Sequence, residues 1–290
     1  MKVEQDFHKR EHDRFIPMTS ITSGGGVQVK SDVYYYTDQM VNIGFIGYPE
    51  KGDWVLVDAG LPHAAPEIKS VVVDRFGKGS KPAAILLTHA HFDHIGGLAD
   101  LIEEWDVPIY AHPKELPYVR GEKSYPKPDS SVEGGLLAKI ADLYPNEPID
   151  LGNAVQALPE GHQVPHLDGW KWIHTPGHTP GHVAFYRESD RLLFSGDAFI
   201  TVRQDSFYRV LMQTAEVNGP PRYFTTNWDE AFDSVCKLAN LEPRVVVSGH
   251  GVSMKGEKLT KGLNKLVEHF ADIAVPDHGK YVDKGNNLYH

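Results

Sequence analysis

Four residues of metal-binding type lie within six consecutive positions of the sequence: His89, His91, Asp93 and His94. Imidazole and carboxylate groups are the usual protein ligands of zinc and related divalent ions. In an extended turn His89 and His91 point to the same side, whereas Asp93 and His94 begin the next element and reach a second position nearby. A solvent-exposed, histidine-rich turn is the alternative interpretation. Four ligand types at this spacing favour a metal site.

The elements on either side place this motif between a strand and a helix. The apolar run at residues 83–87 before the motif predicts a buried strand. The apolar residues after the motif recur at the spacing of a buried helix face, at Leu98, Leu101, Ile102 and Trp105. Proteins of the α/β class carry their chemistry at such strand-to-helix turns. The sequence therefore predicts an α/β architecture around a metal site.

Three further turns carry candidate ligands, each directly after a predicted strand. The candidates are His178, Asp197 and His250, and small residues flank each of them. Small residues let the backbone turn tightly beside a crowded centre. An acidic residue, Asp58, likewise ends the apolar run Trp54–Val57. Each turn alone is weak evidence, whereas their joint occurrence indicates one site.

The composition is that of an ordinary globular protein with an acidic balance. The chain has 290 residues and a formal net charge of −10, so a nucleic-acid backbone is not an expected partner. No apolar run approaches the length of a membrane span, and residues 1–14 lack the apolar core of a signal peptide. A single cysteine, Cys236, excludes an internal disulfide and fits a reducing compartment. We therefore expect a cytoplasmic protein that acts on a small molecule, with no membrane partner and with its oligomeric state left open.

The order of the predicted elements indicates a single domain over residues 1–290. Residues 1–20 are expected to form a polar leader, and residues 252–290 a C-terminal helix and tail. Helices are predicted at 66–76, 136–143, 205–213, 228–241 and 259–271, with a hairpin over 41–57. Four runs between Ala154 and Ser195 alternate with turn residues, in the manner of consecutive antiparallel strands.

An irregular segment at residues 120–135 interrupts this pattern with prolines, glycines and serines. Loops on a rigid sheet edge usually select the substrate, while residues at strand ends determine the reaction. Arg120, Lys123, Tyr125 and Lys127 offer positive charge and an aromatic face. We expect the segment to border the pocket and to contact an acidic or polar part of the substrate. The alternative is a solvent-exposed insertion that contacts nothing.

The ordered motifs resemble the metal site of the metallo-β-lactamase superfamily. The shared pattern is His-x-His-x-Asp-His at residues 89–94, followed by His178, Asp197 and His250. The resemblance covers Tyr34 to Gly251, which is most of the chain. It implies the αβ/βα four-layer sandwich of that family, in which two mixed β-sheets pack together with helices outside. Residues 175–182 are most similar to the glyoxalase II-like and lactonase-like branches.

The resemblance also implies a role for each candidate residue. The ligands divide into a first group, a second group and one bridging residue: His89, His91 and His178; Asp93, His94 and His250; and Asp197. Asp58 supports the site without binding metal, whereas His182 either supports the ligands from behind or is an ordinary buried histidine. The implied cofactor is a pair of divalent metal ions, with zinc as the first choice and manganese or iron as alternatives.

The implied activity is that of a binuclear hydrolase. Two ions share a water molecule and lower its pKa, and the resulting hydroxide attacks a small ester, lactone or thioester. Asp93 or Asp197 is the expected catalytic carboxylate that carries a proton to the leaving group. The alternatives are a mononuclear iron sulfur dioxygenase of the same fold, which would leave His94 and His250 idle, a phosphodiesterase, or a non-catalytic scaffold. No residue is assigned to substrate binding.

Overall fold

Two mixed β-sheets face each other in the computed structural model, which describes residues 20, 22–132, 150–202 and 215–282 of the chain. Within these residues the first sheet has seven strands, in this spatial order: β1 (Gly26–Lys30), β2 (Val33–Asp38), β3 (Val41–Gly47), β4 (Trp54–Val57), β5 (Ala84–Leu86), β6 (Ile109–Ala111) and β7 (Val155–Ala157). Strands β1 to β4 pair antiparallel, and β4 to β7 pair parallel. The parallel strands β4, β5 and β6 therefore end at the same edge of the sheet.

The second sheet has five strands within the described residues. Their bounds, in chain order, are β8 (Trp170–His174), β9 (Val183–Arg187), β10 (Leu192–Gly196), β13 (Val245–Ser248) and β14 (Met254–Lys255). The spatial order is β14-β13-β10-β9-β8, and β10 runs parallel to β13. Two shorter strands, β11 (Ile200–Val202) and β12 (Ala215–Asn218), pair only with each other in the described ranges. Because β10 and β13 are parallel neighbours, the turns that follow them lie side by side.

The α-helices lie on the outer faces of the sheets. In the described ranges they are α1 (Ala65–Phe76), α2 (Phe92–Ile95), α3 (Leu98–Glu104), α4 (Leu116–Val119), α5 (Trp228–Ala239), α6 (Gly256–Glu268) and α7 (Phe270–Ile273). Helices α1 and α3 cover the first sheet, and α5, α6 and α7 cover the second. None of these helices combines the length and the apolar character that a membrane span needs.

Apolar side chains alternate between an inner and an outer core, because successive residues of a strand point to opposite faces. In β4, Val55 and Val57 enter the core between the sheets. Trp54 and Leu56 of the same strand enter the core under α1 and α3. Val246 of β13 faces α5 and α6 in the same way. Because these strands are covered on both faces, their sequences are continuous apolar runs. The layers follow the order helix, sheet, sheet, helix, which confirms the predicted αβ/βα sandwich.

Several predicted elements are present at nearly the predicted positions. The hairpin of β3 and β4 and the helix α1 are confirmed, and so is the strand-to-helix turn that carries the histidine motif between β5 and α2. The C-terminal helix begins three residues earlier than predicted, at Gly256, and a separate short helix follows it.

One prediction about strand pairing is wrong. The four runs between Ala154 and Ser195 were expected to form consecutive antiparallel strands, but β7 pairs in parallel with β6 at the edge of the first sheet. Only β8, β9 and β10 are antiparallel neighbours. The chain crosses from one sheet to the other between β7 and β8. A short buried strand has the same apolar pattern whichever of the two sheets it joins, so the sequence did not show the crossing.

Three predictions concern residues outside the part of the chain that the structure describes. They are the polar leader at residues 1–20, apart from Ser20, and the helices at 136–143 and 205–213. They stay predictions.

Candidate metal centre

The seven residues with a predicted role in metal binding converge between the ends of the two sheets. All seven are buried, with at most 8% of any of them exposed: His89, His91, Asp93, His94, His178, Asp197 and His250. The motif that follows β5 supplies four of them from the first sheet, two of which lie in α2. The turns after β8, β10 and β13 supply the other three from the second sheet. The fold thus brings together ligand types that lie far apart in sequence.

The first group consists of three histidine rings whose nitrogens converge. His91 Nδ1 lies 2.9 Å from His89 Nε2 and 2.9 Å from His178 Nε2. A neutral imidazole carries only one N–H, so three ring nitrogens that meet at one point cannot all form hydrogen bonds with one another. Burial lowers the pKa of His91 to about 4, and burial with the neighbouring imidazoles holds the pKa of His89 and His178 well below the usual range. The group therefore offers neutral lone pairs, as a cation requires.

The second group combines histidines with carboxylates. His250 Nε2 lies 3.4 Å from Asp93 Oδ2 and 3.3 Å from Asp197 Oδ2. Although burial lowers it, the adjacent Asp197 and Asp93 carboxylates raise the pKa of His250 to about 10. The same two carboxylates and Asp58 outweigh the effect of burial on His94 and raise its pKa well above the usual range. Positive charge is therefore strongly favoured at this position.

Asp197 lies between the two groups. Its Oδ2 atom is 3.5 Å from His178 Nε2 of the first group, and 3.6 Å and 3.3 Å from the Nε2 atoms of His94 and His250 of the second. The neighbouring His250 and His94 hold the pKa of Asp197 well below its usual range, although burial alone would raise it. A single carboxylate oxygen is thus shared by both halves of the cluster.

Two buried atoms show that the cluster fits a divalent cation. Among the described residues, neither His94 Nε2 nor Asp197 Oδ1 has a hydrogen-bond partner. Buried polar atoms almost always have such a partner, so these two call for a species that hydrogen bonding within the chain does not supply. Three sets of three side chains each bring their ligand atoms within 4.8 Å of one another: His89, His91 and His178; His89, His94 and Asp197; and Asp93, His94 and His250. These residues are able to hold divalent metal.

Asp58 contacts a histidine of the second group from behind. Its Oδ2 atom lies 2.8 Å from His94 Nδ1 and accepts a hydrogen bond from the Thr88 hydroxyl, whereas its Oδ1 atom accepts one from the Thr88 backbone N–H. The carboxylate keeps a proton on His94 Nδ1 and leaves Nε2 directed at the centre. Asp58 adopts a left-handed backbone conformation, with φ of 61°, at the end of β4.

His182 has both ring nitrogens engaged within the protein. Its Nδ1 lies 2.7 Å from the Thr175 hydroxyl, and its Nε2 accepts a hydrogen bond of 2.9 Å from the backbone N–H of Asp197. Burial lowers the pKa of His182 to about 3, so the ring stays a neutral acceptor. Gly196 provides the space: a Cβ atom there would lie 2.6 Å from His182 Nε2. This contact agrees with the first alternative for His182, support of the ligands from behind, which stays a prediction.

Sequence reasoning missed three kinds of residue near the centre. Glu115, fully buried, joins the segments that carry the first group. Asn42 and the backbone carbonyl of Met40 hold the His250 turn, with the Met40 oxygen 3.0 Å from His250 Nδ1. Phe224 lies with its ring centre 4.8 Å from that of His91. None belongs to a motif, and the sequence carries no local signal for them.

The described part of the 120–135 segment lies next to the centre. The Tyr125 ring centre is 4.7 Å from that of His91, and the backbone N–H of Asp129 donates to the carbonyl of Tyr223. Arg120 donates instead to the carbonyl of Val155. The segment borders the site through Tyr125, whereas the expected contact between its positive charges and a substrate stays a prediction.

A two-sheet sandwich with a buried histidine and aspartate cluster at its strand ends defines a class of metal-binding proteins, and comparison with known proteins identifies the family. The family model of the metallo-β-lactamase superfamily matches residues 36–250. The chain therefore belongs to the metallo-β-lactamase superfamily.

Individual relatives agree with this assignment. The chain is 46% identical over 262 residues to the probable metallo-hydrolase YflN of Bacillus subtilis, covering 90% of this chain and 99% of that protein. It is 28% identical over 165 residues to a hydroxyacylglutathione hydrolase of Bdellovibrio bacteriovorus, covering 57% of this chain and 47% of that protein. The crystal structure of the BLEG-1 B3 metallo-β-lactamase matches with a TM-score of 0.53 and 23% identity over 79% of this chain and 92% of that one, which supports the fold.

Replacing Asp58 with Asn should weaken metal binding without removing a ligand. The amide offers an N–H group where Asp58 now accepts three hydrogen bonds, so either Thr88 or His94 loses its partner. We expect the metal affinity to fall about 10- to 100-fold, as measured by titrating metal-free protein. Asp150→Asn is the matched control, because Asp150 accepts a hydrogen bond from Gly152 away from the centre. Equal affinities for Asp58→Asn and the control would contradict the role of Asp58.

The stacked pair His112 and His174 should make stability depend on pH. Their ring centres are 4.2 Å apart, and burial with the adjacent His174 lowers the pKa of His112 to about 4 from 6.5. Between pH 4 and pH 6.5, His112 is therefore protonated more in the unfolded chain than in the folded chain. The pair's contribution is therefore complete above pH 6.5 and is lost as the pH falls towards 4.

His112→Gln tests this dependence in metal-free protein. The free energy of unfolding, measured with urea at pH 7.5 and at pH 5, should fall less for His112→Gln than for the wild type. His269→Gln, at an exposed position, should keep the wild-type difference. An unchanged difference in His112→Gln would exclude the pair as its source.

Proposed function

We propose that the chain is a hydrolase of small esters, lactones or thioesters that uses two divalent metal ions, with zinc as the first choice. The observation that carries this proposal is the place of Asp197. One of its oxygens lies within 3.6 Å of imidazole nitrogens from both groups, as a carboxylate that bridges two cations would. A mononuclear centre would need only one of the groups, yet both are complete and buried.

The residues of the chain have separate parts in such a reaction. Bound at the two groups, divalent ions supply Lewis acidity and lower the pKa of water. The three histidines of the first group stay neutral and orient what binds there. Asp93 and Asp197 both line the cavity above the centre, but Asp93 is the more exposed, at 8% against 2%. Asp93 is therefore placed to carry a proton towards a leaving group, while Asp197 stays deeper between the two groups.

The walls of this cavity favour an uncharged reacting group. Apart from the metal-binding candidates, its lining consists of apolar and aromatic residues: Met40, Phe92, Pro221, Tyr223 and Phe224. No lysine or arginine is present in the described lining, which favours an ester, lactone or thioester carbonyl over a phosphodiester. A thioester also agrees with the relative named hydroxyacylglutathione hydrolase.

The wider proposal includes a small-molecule substrate, a single domain and a cytoplasmic location. The cavity above the centre supports the first, because four of the candidate ligands, His91, Asp93, Asp197 and His250, line it directly. The family model matches residues 36–250 as one stretch that includes strands of both sheets, which supports the second. Cys236, the single cysteine of the sequence, supports a reducing compartment.

Replacing Asp197 with Asn should reduce both metal content and activity. A neutral amide cannot balance two cations, so we expect fewer than two metal ions per chain and a fall in kcat/KM of at least about 100-fold. Elemental analysis and a panel of lactone, thioester, carboxylic ester and phosphodiester substrates provide the measurements. Asp190→Asn, which alters a partly buried ion pair with Arg187 in the turn between β9 and β10, is the control. Full activity with two ions retained would refute the bridging role, and one iron per wild-type chain with oxygen consumption would instead indicate the dioxygenase.

Replacing Phe224 with Ala should change substrate preference rather than the reaction. The ring packs against His91 and lines the cavity, so its removal takes away apolar contact with the acyl group. For a butyrate ester we expect kcat/KM to fall about tenfold, and for the matching acetate ester to change little. Phe232→Ala, in the outer core, controls for loss of an aromatic residue elsewhere. Equal losses for both esters would show that Phe224 does not contact the acyl chain.

A further inference from the structure

Glu115 is a fully buried carboxylate that lies outside the metal centre and directly precedes α4. Its Oε1 atom accepts hydrogen bonds from the Thr179 hydroxyl at 2.9 Å and from the Gly181 backbone N–H at 2.7 Å. Its Oε2 atom accepts from the Ala90 backbone N–H at 3.1 Å and from the Tyr125 hydroxyl. An ionised carboxylate only accepts hydrogen bonds and has about four lone-pair sites, so this side chain is fully used.

The donors to Glu115 belong to the segments that carry the first group. Ala90 lies between His89 and His91 in the motif after β5. Thr179 directly follows His178 in the turn after β8. The carboxylate therefore joins the first sheet's two histidines of this group to the second sheet's one, and it is not itself among the sets able to hold a metal.

The packing around Glu115 shows that this approach is close. A Cβ atom at Gly181 would lie 2.7 Å from Glu115 Oε1 and 2.9 Å from the Glu115 backbone nitrogen, so any larger residue there would displace Glu115 and its carboxylate. Tyr125 stacks on Tyr118 with ring centres 4.0 Å apart, and the Tyr125 ring also contacts His91. Glu115 thus holds the backbone on both sides of the group and an aromatic ring against one of its members.

The second group is held by different contacts. Asp58 fixes His94, and the Met40 carbonyl accepts from His250 Nδ1. Asn42 donates to the carbonyls of Ser248 and Gly251 on either side of the His250 turn, at 2.9 Å and 2.7 Å. Each group therefore has its own connection between the two sheets.

We propose that Glu115 is a positioning residue for the three-histidine group, and that losing its carboxylate weakens metal binding there selectively. The inference rests on the proposed function only in that the group binds a divalent ion. It does not depend on which substrate is cleaved. Without the carboxylate, the segments carrying His178 and the motif histidines lose the side chain that joins them and keep the backbone hydrogen bond from the Val183 N–H to the Thr88 carbonyl. The contacts of Asp58, Met40 and Asn42 at the second group remain.

The test uses Co²⁺ as the probe, titrated into the metal-free full-length chain and followed by visible absorption. His89→Ala and His250→Ala variants provide the reference spectra that assign bands to the first and second groups. In Glu115→Gln, whose amide cannot accept four hydrogen bonds, we expect Co²⁺ affinity at the first group to fall about 10- to 100-fold. Affinity at the second group should change less than about threefold, within the range of an indirect effect.

Three further variants distinguish positioning from general loss of structure. Gly181→Ala displaces the carboxylate without removing it and should show the same selective loss, which keeps the test open if Glu115→Gln does not fold. Asn42→Ala should show the opposite selectivity, because it loosens the His250 turn. Gly262→Ala crowds Val217 in the outer layer, where a Cβ atom would lie 2.6 Å from that side chain, and should leave both affinities unchanged.

The outcomes separate this inference from the proposed function. Equal loss at both groups in Glu115→Gln and Gly181→Ala, accompanied by a lower melting temperature of metal-free protein, would show a purely structural role and overturn the inference. Unchanged affinities would also overturn it. The variants could lose Co²⁺ affinity selectively at the first group while the wild type hydrolyses no member of the substrate panel. That result would support the inference and contradict the proposed function.

Discussion

The structure depends on the burial of two carboxylates, Asp93 and Asp197, in a space that water scarcely reaches. A buried carboxylate is strongly unfavourable unless positive charge and hydrogen bonds surround it. In the chain itself that charge is placed on His94 and His250, whose pKa values are raised by these carboxylates. A metal ion bound at the centre would displace those protons, so metal uptake and proton release are coupled. The turns around the centre serve to hold these charges at fixed separations.

The metal-binding candidates could be predicted from the sequence because their signals are local. Four ligand types within the motif are improbable by chance, and the apolar run before them shows that a strand ends there. Asp197 and His250 were recognisable for the same reason, since each follows a buried strand and has a glycine beside it. The sheets could be predicted because strands covered on both faces are almost entirely apolar, as in β4 and β13.

The supporting residues could not be predicted, because their roles arise only from contacts between distant parts of the chain. Glu115 lies among lysine, proline and tyrosine in a segment that looks like a solvated surface. Its burial comes from Ala90 and Gly181, which approach it from different sheets. Asn42 lies in an apolar strand, where its amide oxygen accepts from Thr37 of the neighbouring strand but its NH2 group gains its partners only when the His250 turn packs against it. The pairing of β7 was predicted wrongly for a related reason, because the sequence of a three-residue strand does not indicate which strand it pairs with.

The division of the ligands between two sheets has a consequence for how the chain acquires its metal. During synthesis the motif after β5 emerges first, yet neither group is complete until residues from the second sheet have been added. Contacts between residues so far apart in sequence form late, because closing a long loop costs entropy before any contact compensates it. A nascent chain therefore presents only part of a site. The choice of ion falls to the folded protein, where the spacing of rigid ligands can override the general order of affinities among transition metals.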